Sequence, residues 1–162
     1  MPYIEWLPYS GIPESSQPRL VANLSGRFES RWAGVKILKS PSVLLNGMEG
    51  SVLGIWVAHG KGRLLFPDPH VADKIRTQQL VPLVYVDLKN EATETYPYNP
   101  NGSPEGWVAL YSPDGRHLGM MPHSERCFLK WQWPWLPEQF RNLEVSPWLQ
   151  MFRNAYEWCR KS

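Results

Sequence analysis

Sixteen of the 162 residues are proline. Each one fixes φ and removes a backbone donor, so that number demands many loops with set entry directions and excludes a helical bundle. Between the breaks the pattern is mostly strand. Residues 27–38 mix Phe28, Trp32 and Val35 with polar groups, and Val52 to Ala58 is a near-continuous apolar run of the kind found in a buried strand. Short strands follow at 63–66, 81–86, 106–111 and 117–121, the last two flanking the hairpin turn Ser112-Pro-Asp-Gly115. Two helices are expected. One covers 69–79, with Asp68 as N-cap, Pro69 in the first turn and Val71 and Ile75 on one face. The other starts at Ser146-Pro147 and carries Trp148, Leu149, Phe152, Ala155, Tyr156 and Cys159 on an apolar stripe. The result is a mixed α/β domain.

Seventeen basic against fifteen acidic residues leave a formal charge of +2, too small to imply a nucleic-acid or membrane partner. No apolar run approaches the roughly 20 residues of a membrane-spanning helix, and the start lacks a basic, then apolar, leader. Cys127 and Cys159 have neither metal-ligand nor disulfide-framework spacing. No metal site and a reducing, cytoplasmic setting are therefore expected. Nine tryptophans point to an extensive aromatic core or a large contact with another domain.

The chemistry concentrates in His123-Ser-Glu125. At i and i+2 on a strand the two side chains share a face, about 6.6 Å apart at a rise of ~3.3 Å per residue, and the carboxylate can orient the imidazole for acid–base work. No nucleophile accompanies them. Cys127 is two residues on, but Phe128 and Leu129 point to burial rather than activation, and Cys159 reads as a small core residue. His59, Gly60 and Gly62 close the buried strand where a ligand could approach the backbone, or form a plain turn. Asn99, Asn101, Gly102 and Ser103 read as a structural loop. Arg27 and Arg31 are either carboxylate partners or ordinary strand-surface charges. Trp131, Trp133 and Trp135 would share one side if extended, and read as packing residues.

A set of longer words goes further: Ser25-Gly-Arg-Phe-Glu-Ser-Arg-Trp32, Ala58-His-Gly-Lys-Gly62, Asn99-Pro-Asn-Gly-Ser103 and Ser112-Pro-Asp-Gly-Arg116. Gly119-Met-Met-Pro-His-Ser-Glu-Arg126, Trp131-Gln-Trp133 and Ser146-Pro-Trp-Leu-Gln150 complete it. In this order the chain resembles the C-terminal glutamine amidotransferase domain of the phosphoribosylformylglycinamidine synthases. The resemblance implies a class I amidotransferase fold, flavodoxin-like, with an open, mostly parallel sheet and some added antiparallel strands. It implies that His123 and Glu125 are the catalytic His and Glu, with His59 and Gly60 beside the substrate. The nucleophilic Cys of the family sits on a strand-to-helix elbow that would precede Met1, so residues 1–162 are expected to be a partial domain lacking it. Ser124 replaces the usual Pro between His and Glu and loosens that corner, and Lys61 replaces the usual Glu.

The implied substrate is glutamine, whose ammonia serves the amidination of formylglycinamide ribonucleotide in purine biosynthesis. ATP and Mg2+ would belong to a separate synthetase domain, with no cofactor in this chain. The implied partner is that domain, or a chain carrying the missing nucleophile, and the chain by itself is expected to be inactive. The alternative is a non-catalytic regulatory or interaction module derived from the same domain.

Overall fold

The computed structural model describes residues 13–161. Their strands are β1 (Arg19–Val21), β2 (Glu29–Ile37), β3 (Val52–His59), β4 (Arg63–Leu65), β5 (Leu83–Tyr85), β6 (Ala109–Tyr111) and β7 (Leu118–Met120). Two helices, α1 (Pro69–Thr77) and α2 (Leu149–Lys161), accompany them. The central ribbon is β2 against β3, antiparallel and in register from Glu29 opposite His59 to Lys36 opposite Val52. Alternate residues on both strands are buried, so Ala33, Val35 and Ile37 meet Leu53, Ile55 and Val57 on one face. Each such aliphatic side chain contributes roughly 1.5–3 kcal/mol on burial. β5 pairs with the other edge of β2, leaving β2 central.

The remaining pairs are β1 with β4 and β6 with β7. The latter closes over Ser112–Gly115, where the Ser112 hydroxyl accepts from His117 N at 3.0 Å. α1 forms as its sequence dictates. Asp68 Oδ1 accepts from His70 N at 2.9 Å, Pro69 opens the first turn, and Val71 and Ile75 are buried against Leu64, Leu80 and Trp107.

Two expectations differ from this architecture. Every pairing among the described strands is antiparallel, so the mostly parallel sheet does not occur within residues 13–161. A parallel pair needs a crossover that returns to the same end of the same sheet; α1 instead carries the chain from β4 to β5, which lie in different sheets. The stripe on α2 is also less buried than its spacing suggests. Trp148, just before the helix, is fully buried and donates from Nε1 to Gly54 O at 2.8 Å. Phe152 and Tyr156, by contrast, are 41% and 62% exposed, and Cys159 is exposed. α2 is anchored through Asn154, whose Nδ2 donates to Leu44 O and Asn46 O at 3.0 and 2.8 Å.

Gly54 shows how tightly the ribbon is packed: a Cβ there would come within 2.2–2.3 Å of three atoms of the Trp32 indole. Gly54→Ala therefore lowers stability by about 1–3 kcal/mol, read as a drop in the urea midpoint at unchanged m. Gly60→Ala, whose Cβ meets only Phe28 at 3.8 Å, stays within about 0.5 kcal/mol of the parent.

Candidate active site

β3 has a free edge, and His123 docks on it: His123 N donates to Trp56 O at 2.8 Å in an isolated antiparallel bridge. The chain reaches this edge after β7 ends at Met120; Pro122 has no N–H and cannot extend a ladder. His123 then starts the 3-10 turn Ser124–Arg126 rather than finishing a strand, as its spacing had suggested. In that turn Glu125 Oε1 lies 2.6 Å from His123 Nδ1. A carboxylate can only accept there, which puts the proton on Nδ1 and leaves the Nε2 lone pair of a neutral ring to act as base. The side chains are 25% and 55% exposed, open enough for a substrate to reach. Arg126 Nε approaches the same carboxylate oxygen at 3.6 Å.

Beneath the turn lies an aromatic floor. Trp32 meets Trp56 and Trp133 edge-to-face, each at 5.0 Å between centroids. Trp56 Nε1 donates to Gln132 O and Trp133 Nε1 to Cys127 O, at 2.8 and 2.7 Å, which fixes the segment after Glu125. Trp133 is thus core, whereas Trp131 and Trp135 are 79% and 70% exposed; the three do not share a surface.

Cys127 is fully buried below His123, its thiol donating to His123 O at 3.3 Å and Ser124 O at 3.5 Å. Burial pushes this thiol up to about 12, against any thiolate at neutral pH. No sulfur in this position attacks a substrate.

His59 also departs from an open ligand loop. Its residue is only 4% exposed, and the imidazole lies over Gly62, where a Cβ would come within 2.3 Å of the ring. Asn23, a residue no motif flagged, holds this turn. Its Nδ2 donates to His59 O and Arg27 O, while its Oδ1 accepts from Gly62 N and faces His59 Nδ1. The loop at Asn99–Ser103 is structural as read: Asn101 Nδ2 donates to Gly62 O at 2.8 Å, and Ser103 Oγ accepts from Leu64 N at 3.0 Å. Opposite His59 stands Glu29, 2% exposed, with Oε2 paired to an Arg31 nitrogen at 2.8 Å and Arg27 Nε 3.8 Å from Oε1. Arg27 and Arg31 serve this internal carboxylate, and sequence reading had passed over Glu29. Its signal was present, as an acidic residue between two arginines at alternate strand positions.

Among the described residues no group of three His, Cys, Asp or Glu is placed to hold a metal, and no helix is long and apolar enough to cross a membrane.

Comparison with known proteins agrees with the sequence words. The CobB/CobQ-like glutamine amidotransferase domain matches residues 1–159. A phosphoribosylformylglycinamidine synthase of Dictyostelium discoideum is 50% identical over 98% of this chain, and the Homo sapiens protein of that name 51% identical over 84%. An Arabidopsis thaliana relative, "Probable phosphoribosylformylglycinamidine synthase, chloroplastic/mitochondrial", is 53% identical over 98% of the chain. The chain spans only 10–12% of the length of these relatives. Among solved structures, PurLQS from Thermotoga maritima superposes with a TM-score of 0.55 at 23% identity, covering 86% of this chain and 52% of that one, a likeness of fold.

Two measurements test the buried groups. Iodoacetamide labels Cys159 of the native chain at neutral pH and spares Cys127, and denaturant exposes both; native labelling of Cys127 would contradict its burial. Burial holds the His59 imidazole below its ordinary 6.5, so the folded state binds fewer protons than the unfolded one. The contribution is full above 6.5 and is lost as pH falls below it, towards the folded value. The urea midpoint therefore drops with acidification, with a shallower slope in His59→Gln.

Proposed function

Since the chain belongs to the CobB/CobQ-like glutamine amidotransferase family, we propose that it forms the acid–base half of the glutaminase site of a phosphoribosylformylglycinamidine synthase. The supporting observation is the His123–Glu125 pair, 2.6 Å apart on the open edge of a buried strand. On this reading residues 1–162 are part of a class I domain. Its parallel strands and its nucleophile elbow are supplied by polypeptide outside this sequence.

The chemistry assigned to the pair is proton transfer. A cysteine brought to His123 Nε2 loses its proton to the ring and attacks the side-chain amide of glutamine, giving a tetrahedral adduct. His123 returns that proton to the departing nitrogen, ammonia leaves, and a glutamyl thioester remains. His123 then takes a proton from water as it attacks the thioester, and glutamate and the thiol are released. Glu125 keeps Nδ1 occupied, so that Nε2 always faces the reaction. The ammonia goes to an ATP- and Mg2+-dependent synthetase domain that amidinates formylglycinamide ribonucleotide. A cytoplasmic setting belongs to the same proposal, although one relative is named for organelles. His59 and Gly60 would wall the substrate side of the site, His59 meeting a small group rather than the body of the amino acid.

Purified chain mixed with glutamine releases no glutamate above a His123→Ala control, because Cys127 is locked and Cys159 lies on α2. Adding a second chain with a Cys-bearing elbow restores hydrolysis, and His123→Ala then loses on the order of 10²–10⁴-fold in kcat. Association of the two chains without any glutamate release would instead favour a non-catalytic module.

A further inference from the structure

No residue of α2 is buried, although the helix carries a broad apolar side. Leu149, Phe152, Tyr156 and Cys159 recur along it at helical spacing, and the last three are exposed. Next to them α2 stands off from the rest of the fold. Ala155, Trp158 and Cys159 face Val43, Leu44 and Arg116 across a cleft of about 280 Å3. On the other border Phe152 meets the half-buried Phe128 edge-to-face, with ring centroids 5.8 Å apart. Cleft and stripe share Cys159, and stripe and Phe128 share the Phe152 contact, so they form one apolar surface. A contiguous patch of this kind, rich in aromatic rings, marks a contact rather than ordinary surface.

The rim says what kind of partner fits. The Arg116 guanidinium lies 5.0 Å from the centre of the Trp158 ring and that of Arg160 5.9 Å from Tyr156. Arg153 stands one turn before Tyr156 and is exposed. Glu157 and Lys161 lie around the helix, on a separate cleft with Asn154. Three guanidiniums at one edge, in a chain of formal charge +2, call for carboxylates opposite them. A second copy paired about a two-fold axis would set the same guanidiniums against one another. Polypeptide outside this sequence is plentiful: the chain spans 10–12% of its relatives and 52% of the solved chain it resembles. Phe128 comes three residues after Glu125, so a partner seated on α2 also touches the segment that follows the acid–base pair. We propose that the α2 stripe, with Phe128 and the cleft at Cys159, is the docking surface for the polypeptide that carries the nucleophile elbow, which meets it with an apolar face edged by carboxylates. The purpose of this surface rests on the glutaminase reading. Its rings are already held by the Phe128 contact and the two guanidinium stacks, so docking has few side chains left to order.

Cys159 serves as the footprint. The elbow-bearing chain of the glutaminase assay is added to the isolated chain, and iodoacetamide labelling of Cys159 is followed by mass spectrometry. Labelling is expected to slow at least tenfold at saturation, and to be independent of the chain's own concentration when it is alone. Phe152→Glu and Tyr156→Glu should each raise the Kd of the complex at least tenfold. Leu88→Glu, at a loop position 83% exposed, should leave it unchanged. If Phe152→Glu unfolds through loss of its Phe128 contact, Tyr156→Glu decides, since Tyr156 is 62% exposed. Failure to form a complex, a complex in which Cys159 labels at the free rate, or one indifferent to Tyr156→Glu would overturn the proposal. Protection of Cys159 by raising the chain's own concentration would overturn it too, in favour of a second copy. Protection without glutamate release leaves the surface standing and removes the glutaminase reading; glutamate release with Cys159 still labelled does the reverse.

Discussion

The fixed register of β2 against β3 governs everything around it. A shift of β2 by one residue against β3 would send Ala33, Val35 and Ile37 to the opposite face and bring Gly34 and Lys36 into their places. Such a slip costs several buried aliphatic side chains at once, each worth roughly 1.5–3 kcal/mol, so the register is strongly specified. The same register sets the chemistry. It places Glu29 opposite His59 at one end of the ribbon and leaves the Trp56 carbonyl free on the β3 edge to receive His123. Core packing and the position of His123 are thus consequences of one alignment.

At that end of the ribbon the fold accepts groups that stability alone would remove. A buried ion pair is often no better than apolar residues of similar volume, because desolvation offsets its attraction. Glu29, Arg31 and His59 remain nonetheless, Glu29 paired with Arg31 and the His59 turn clamped by Asn23, which uses both ends of its side chain. Glycine at 62 gives the His59 ring the space it occupies, and glycine at 54 does the same for Trp32. These two small residues work through what they leave room for.

The positions of β2 to β7 and the α1 cap were legible in the sequence, since alternation, proline and Asp68 act over a few residues, whereas β1 was not. The His123–Glu125 pairing was legible as a pair but not as a geometry. Alternation pointed to a strand end, whereas the pair sits on a 3-10 turn that begins after Pro122 and His123. The sheet's parallel character came from resemblance rather than periodicity, and the described strands show antiparallel pairs alone. Residue spacing on α2 gave an apolar stripe but no partner for it, which is why Phe152, Tyr156 and Cys159 were placed in a core they do not join. Glu29 and Asn23 escaped notice because their roles are long-range, Glu29 facing His59 across the ribbon and Asn23 bonding to His59 and Gly62, 36 and 39 residues away.

Burial separates the roles of the groups near His123. Cys127 lies in apolar surroundings below the turn, and its thiol donates into the backbone that positions His123. Ionising it would break those contacts and leave a charge without solvent, so the group closest in sequence to the acid–base pair is the least suited to attack. The same desolvation favours the neutral form of His59, holding its imidazole below the ordinary value. His123 keeps a quarter of its side-chain surface open and has a carboxylate on one nitrogen only. Solvent access therefore separates the locked thiol of Cys127 and the buried imidazole of His59 from the partly open imidazole of His123. A reactive sulfur has to come from outside these surroundings, where a cation or a helix N-terminus can stabilise its thiolate.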